Sequence, residues 1–409
     1  MRQRLRLSLL FQEFINSEQA SGLLLLFAAG LAMLVANSPL AASFNTLFAT
    51  HFGFHTPGLD LNHTLLSWIN EGLMVFFFIL IGLEIEREVY DGELSDLKNA
   101  LLPLAAAIGG MLAPALIHYA FNRGLPTQLG FGIPMATDIA FALGVLRLLG
   151  NRVPASVKVF ITAFAIMDDI GAMIVIALVY SQGLQWVSLL LALLMFGVMG
   201  FLNLRKVYNP WAYLLPGLAM WYFTLVSGVH TSIAGVAFAF AFPFADGKAD
   251  SPSLKLELAL NKPVAMFIMP LFAFANSGVA INAALLGQLL SPNSLGIFTG
   301  LVIGKPLGII SFSLAAVKLK IARLPDSFLP KHLLGVGFLG GIGFTMSTFI
   351  TVLAFNGSID GATAKIAIML GSLAAGFVGY TILNLRRVPT QHSKRKNPPQ
   401  QINEEWSAE

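Results

Sequence analysis

Long apolar runs recur along the chain, set off by short linkers that carry the charged, proline and glycine residues. A run of about 18 to 20 apolar residues crosses roughly 30 Å of hydrocarbon as a helix, whereas a barrel strand alternates over about ten. The pattern therefore predicts about twelve membrane-spanning helices. Their centres lie near Phe27, Phe77, Ile108, Ala140, Met167, Leu193, Met220, Phe238, Phe267, Ile303, Phe344 and Ala374. An amphipathic lead-in, Leu7 to Ile15, predicts an interfacial helix before a retained first span rather than a cleaved signal.

The linkers alternate in charge. Lys and Arg crowd the N-terminus, 87–98, 147–158, 205–206, 248–262, 318–331 and the tail from Arg386. Linkers 37–64, 181–184, 227–230 and 280–293 have none, and 121–129 and 356–365 have one each. Basic linkers stay cytoplasmic, so both termini are expected on that side, as an even number of spans requires. The polar tail 387–409 is expected to be disordered, with Lys394 to Lys396 near anionic headgroups. The outer linker carries His51, His55 and His63, for which a small hairpin around Pro57 and Gly58 is the preferred reading over a metal site.

Composition agrees with the pattern: 56% of residues are hydrophobic and 11% charged. No cysteine is present, which excludes disulfides, thiolate chemistry and Cys-ligated metals. The net charge of +4 belongs to cytoplasmic linkers rather than to a nucleic-acid partner. There is no phosphate-binding G-x-x-x-x-G-K-[ST] motif, so ATP drive is not expected.

Against this background a few ionisable residues fall inside spans: Glu71, Asp138, Asp168, Asp169 and Lys305, with Glu84 and His230 near span ends. A charge at mid-bilayer costs about 2.5 to 3.5 kcal/mol on insertion scales, so such residues mark function or paired helix contacts. Asp168 and Asp169 are adjacent, and consecutive helical residues point about 100° apart, so one can line a cavity while the other reaches a neighbouring helix. Lys305 is expected to pair with one of these carboxylates.

Two spans carry helix breakers. Pro134 precedes Ala136, Thr137 and Asp138 in the fourth, and Gly340, Gly341 and Gly343 interrupt the eleventh. Unwound backbone at membrane depth is tolerated only where protein or a cavity surrounds it. The breaks sit seven spans apart, an odd offset, so spans three to five and ten to twelve enter the membrane in opposite directions. Paired interrupted helices of this kind point to a secondary transporter built on an inverted repeat. Where such breaks cross, like dipole ends face each other; Asp138 suits the positive ends and Lys305 the negative ones.

The segments WINEGLMVFFFILIGLEIERE (68–88), ATDIAFALGVL (136–146), IMDDIGAM (166–173), SGVHTSIAGV (227–236), PLFAFANSGV (270–279), IGKPLGI (303–309) and GGIGFTMS (340–347) resemble the bacterial NhaA-type sodium/proton antiporters, over roughly residues 10 to 386. That family is itself a standard example of inverted-repeat architecture. The resemblance implies an all-α integral membrane protein of the bacterial cytoplasmic (inner) membrane, one transporter domain over 1–386, with repeats at 98–180 and 290–385. It implies that Asp169 is the principal sodium ligand and proton carrier, with Asp168 titrating beside it or pairing with Lys305, and Thr137 and Asp138 near the site. Glu84, Arg87, Glu88 and Glu257 match a cluster tied to pH response, and His230 is read as structural or modulatory. The outer linker 45–64 is implied as a homodimer contact. Glu71 replaces an aspartate of the best-known members, and the segment around Glu257 lacks their histidines, with Leu254 in place of a basic residue.

The expected activity is electrogenic export of sodium or lithium for protons, with no cofactor and no enzymatic chemistry. Burial and a like neighbour both disfavour ionisation of a carboxylate, and a bound sodium reverses that balance. Returning more protons than sodium ions exported lets the membrane potential drive efflux, since each charge is worth about 2.3 kcal/mol per 100 mV. The alternatives are a sodium-coupled organic-anion symporter on a similar scaffold, an aspartyl protease using Asp138 and Asp168, and a passive channel. Proteases of that type carry Tyr-Asp and Gly-x-Gly-Asp signatures, whereas the contexts here are Thr137-Asp138 and Met167-Asp168, and the glycine-rich GGIGF lacks the aspartate.

Overall fold

The computed structural model describes residues 18–56, 59–92, 94–181, 183–245, 251–325, 328–355 and 357–385. The interfacial helix expected over Leu7 to Ile15, the hairpin tip at Pro57 and Gly58, and the tail 387–409 lie outside the described residues.

Helices account for every apolar run: α1 (Glu18–Ala36), α2 (Ala41–Ala49), α3 (Leu65–Asp91), α4 (Leu97–Asn122), the 3-10 helix Pro126–Met135 followed by α5 (Ile139–Leu148), α6 (Ala155–Val179), α7 (Trp186–Leu204), α8 (Trp211–Ser227), α9 (Ser232–Ala241), α10 (Pro252–Ser277), α11 (Pro292–Lys318), α12 (Pro330–Gly340), α13 (Phe344–Phe355) and α14 (Ile359–Asn384). Among the described residues seven are long and apolar enough to cross a membrane, or ten if each bent pair is one span. The expected twelve centres all fall in helices, but α8 with 17 residues and α9 with 10 are shorter than a full crossing.

Several boundaries differ from the sequence reading. The outer linker contains α2, bent 113° from α1 because Asn37, Ser38 and Pro39 end the first helix. Beyond it β1 (His51–Phe52) pairs antiparallel with β4 (His63–Thr64), and β2 (His55–Thr56) with β3 (Leu59–Asp60). His55 Nδ1 lies 3.4 Å from Asp60 Oδ1 on this hairpin. The basic segment 251–263 is helical because Ser251 caps Leu254 N and Pro252 occupies the first turn. Likewise Ser358 caps Gly361 N, so α14 begins at Ile359 and Lys365 lies two turns inside it rather than in a linker.

α4 lies backbone to backbone against α11. A Cβ on Gly109 would meet the carbonyl oxygen of Gly308, and a Cβ on Gly308 that of Gly109. Further along, Pro114 touches Gly304 and His118 touches Gly296. Numbers rise on one helix as they fall on the other, so the two run antiparallel, and small residues let their backbones meet. Both broken spans bend by just over 40° at their interruptions, 41° for the first and 42° for the second. Single π turns widen α3 at Trp68–Leu73, α10 at Val264–Ile268 and α11 at Gly300–Gly304, directly before Lys305.

Candidate functional site

The two interruptions meet. Asp138 N donates to Ile342 O at 2.6 Å, Thr137 Oγ1 to Gly340 O at 2.8 Å, and Ser347 Oγ to Ile133 O at 2.7 Å. Each broken strand of backbone thus satisfies the other, as membrane depth demands. Gly341 is required at the crossing because any Cβ there would strike Leu301 O. Pro134 lies in the last turn of the 3-10 helix with its ring packed against Gly300. Gly343 N and Phe344 N donate to Ser372 Oγ on α14, at 3.2 and 3.1 Å.

Asp138 caps two helix N-termini at once. Its Oδ1 accepts from Phe141 N at 3.2 Å in the first turn of α5. Its Oδ2 accepts from Thr345 N at 3.0 Å, and from Thr345 Oγ1, in the first turn of α13. A carboxylate there offsets the positive ends of both half-helix dipoles. Lys305 lies at an opposite pole: its Nζ donates to Met135 O, the last residue of the 3-10 helix, and sits 5.8 Å from the Phe164 ring centre.

Lys305 Nζ also lies 2.6 Å from Asp168 Oδ2, with both side chains fully buried. Asp169, one residue further along α6 and 3% exposed, does not share this pair. Its Oδ1 is buried with no hydrogen-bond partner, and so is Asp168 Oδ1. An unpartnered buried carboxylate oxygen is costly unless something else occupies it. No cluster of three or more His, Asp or Glu side chains with metal-binding geometry occurs among the described residues, so a cation here would draw on carbonyls and water besides the aspartates.

The remaining candidates lie apart from this centre. Arg87 Nε is 3.1 Å from Glu257 Oε1, and its Nη2 is 3.7 Å from Glu88 Oε1, joining the end of α3 to α10. Glu84 is half-buried one turn before Arg87. His230 precedes α9, with Nδ1 3.0 Å from Ser232 Oγ and its ring edge-on to Phe349. Its Nε2 is 3.1 Å from Glu71 Oε1, off the N–H direction of a well-formed hydrogen bond. Glu71 Oε2 accepts from Thr231 Oγ1 at 2.7 Å.

Sequence reasoning missed Thr345, Ser347, Ser372 and Glu86. Thr345 and Ser347 follow the glycine break as Thr137 and Asp138 follow the proline, which is a readable signal. Ser372 sits in a stripe of small residues on α14 that offers none. Glu86 is buried with its Oε2 3.1 Å from Ser253 Oγ, a contact that the charged string of α3 conceals.

Residues 12–383 match the family model described as Na+/H+ antiporter 1. A protein named Na(+)/H(+) antiporter NhaA from Dechloromonas aromatica is 52% identical over 385 residues, covering 93% of this chain and 96% of its own. Proteins of that name from Flavobacterium psychrophilum and Proteus mirabilis are 50% and 46% identical, each spanning over nine-tenths of both chains. With nearly the whole sequence matched, the chain belongs to the Na+/H+ antiporter 1 family.

Proposed function

We propose that this protein exports sodium, and lithium, in exchange for protons across the bacterial cytoplasmic membrane. The observation that carries the reading is Asp169: a buried carboxylate with an unpartnered oxygen, beside an aspartate already engaged by Lys305, at the crossing of two broken helices. Burial favours the protonated form of any carboxylate, and a hard cation favours the ionised form. Proton and sodium then compete for one place, and competition produces exchange when the loaded site faces the two sides alternately.

Asp169 is the principal ligand, with Asp168, Thr137 and backbone carbonyls at the crossing as further ligands. Asp138 and Lys305 hold the half-helix dipoles. Spans 98–180 and 290–385 form the two inverted repeats, both termini are cytoplasmic, and two protons return per sodium ion, so the cycle is electrogenic. Glu84, Arg87, Glu88, Glu257 and His230 tune its pH response, and the hairpin within 45–64 joins two copies. Sodium and protons are cargo, and no resident cofactor is needed. Relatives named as antiporters lend the symporter reading no support.

The test is cation-induced proton movement in everted membrane vesicles, followed with a pH-sensitive dye between about pH 6 and 9. Sodium and lithium, but not potassium, collapse the proton gradient, and Asp169→Asn abolishes the response. Sodium-coupled proton flux surviving in Asp169→Asn would overturn the ligand assignment.

A further inference from the structure

Away from the crossing, α4, α6 and the turn after α11 enclose a cleft of about 780 Å³. It opens at the start of α4 and of α6 and at the end of α11, the side of the membrane that carries the basic linkers. The turn exists because α11 ends in a left-handed residue: Lys320 has φ 60°, and Ile321 N and Ala322 N both return to Ala316 O at 2.9 and 3.2 Å. That reversal folds residues 320–325 back over the neighbouring helices.

Three cations, Lys98, Lys320 and Arg323, line the mouth. All three are exposed, and among the described residues no carboxylate pairs with any of them. The lining's single acid, Asp96, is committed as the cap of α4, accepting from Lys98 N at 3.0 Å. Below the mouth the walls turn apolar, with Leu102, Val159, Phe160 and Ala163. From Ser156 to Ala163 the wall descends seven residues of α6, or about 10 Å at 1.5 Å per residue.

We propose that this cleft binds an anionic glycerophospholipid of the adjoining leaflet, its phosphate held by Lys98, Lys320 and Arg323 and its acyl chains laid along the α6 wall. A soluble phosphate compound has the charge for the mouth but nothing to place against apolar walls that reach into hydrocarbon depth. Phosphatidylglycerol satisfies both ends of the cleft. Binding there ties the end of α11, which carries Lys305, to the start of α4 and α6, independently of the exchange chemistry.

The experiment uses the purified full-length protein in detergent, titrated with phosphatidylglycerol, phosphatidylcholine or inorganic phosphate, with binding read by native mass spectrometry and stability by thermal melting. Phosphatidylglycerol is expected to bind and raise the melting temperature, and phosphatidylcholine and inorganic phosphate to do neither. The Lys320→Gln/Arg323→Gln variant, whose melting in phosphatidylcholine reports its fold, is expected to bind phosphatidylglycerol roughly 10- to 30-fold more weakly, at about one kcal/mol per basic residue. Because both residues are exposed, the wild-type affinity also falls as salt is raised, a readout that needs no variant. Equal phosphatidylglycerol binding by wild type and variant overturns the site. An equal effect of inorganic phosphate overturns the lipid and leaves a soluble anion, and an equal effect of phosphatidylcholine leaves only the apolar wall.

Discussion

Replacing Lys305 by methionine keeps an apolar stem of similar length and removes the ammonium, which lies over the Phe164 ring and touches both Asp168 Oδ2 and Met135 O. Neither member of the pair is exposed, so solvent does not screen the loss. Deleting one partner of a buried ion pair typically costs about 3 to 5 kcal/mol, because the other charge is left uncompensated. For a chain of 409 residues, at roughly 2.1 cal/mol/K per residue, that lowers the melting temperature by about 4 to 6 °C. Asp168→Asn orphans the ammonium and falls by a similar amount, whereas the Asp168→Asn/Lys305→Met double variant regains at least half of the loss. Thermal melting of the four proteins in one detergent closes the cycle. Single variants as stable as wild type, or losses that simply add in the double, refute the pairing as a structural element.

Other expected outcomes rest on separate parts of the site. The apparent KM for sodium rises about tenfold per pH unit of acidification where one proton competes, and more steeply where two do, measured as dye response against sodium concentration. Thr345→Val removes a donor from buried Asp138 and lowers stability by about 1.5 to 3 kcal/mol, seen as a lower melting temperature with the Asp169 chemistry retained. Gly341→Val drives a side chain into Leu301 O and abolishes folded protein on size-exclusion chromatography. Arg87→Gln, with the guanidinium 44% exposed, changes melting by no more than about 1 kcal/mol, so any shift in its pH profile reports regulation rather than unfolding.

How much of this was readable from residues depends on what kind of signal each feature leaves. Apolar run length located the helices, since no other element satisfies its backbone in lipid over such a distance. It failed at Ser251 and Ser358, where a capping serine starts a helix inside polar sequence, so linkers were drawn too long. The breaks were legible from Pro134 and the glycine cluster, because those residues disfavour helix, although Pro103, Pro114 and Pro216 are carried inside continuous helices. The π turn before Lys305 was not, since Gly300–Gly304 reads as an ordinary small-residue stretch until its packing on Pro134 and Pro114 is seen. Intramembrane charge flagged Asp138, Asp168, Asp169 and Lys305 alike; which of them pair depends on helices more than 130 residues apart in sequence. Hydroxyl groups such as Ser372 carry no burial penalty conspicuous enough to single them out.

The arrangement also explains why two adjacent aspartates suit one site better than one. A continuous helix presents no free backbone groups, so it can neither ligate a cation nor need charge at its centre. Breaking two helices at one point creates both the free carbonyls and the dipole ends, and Asp138 and Lys305 then answer the ends. Lys305, buried, needs an anion of its own, and Asp168 provides it. Were that carboxylate also the only cation ligand, every sodium ion would have to displace an ammonium held at 2.6 Å. The next residue points about 100° away around α6, beyond the pair but within the same low-dielectric region. On the proposed reading, Asp169 exchanges proton for sodium while the charge balance of the crossing stays intact, and Asp168 and Lys305 are left as the pair to separate when a second proton is carried.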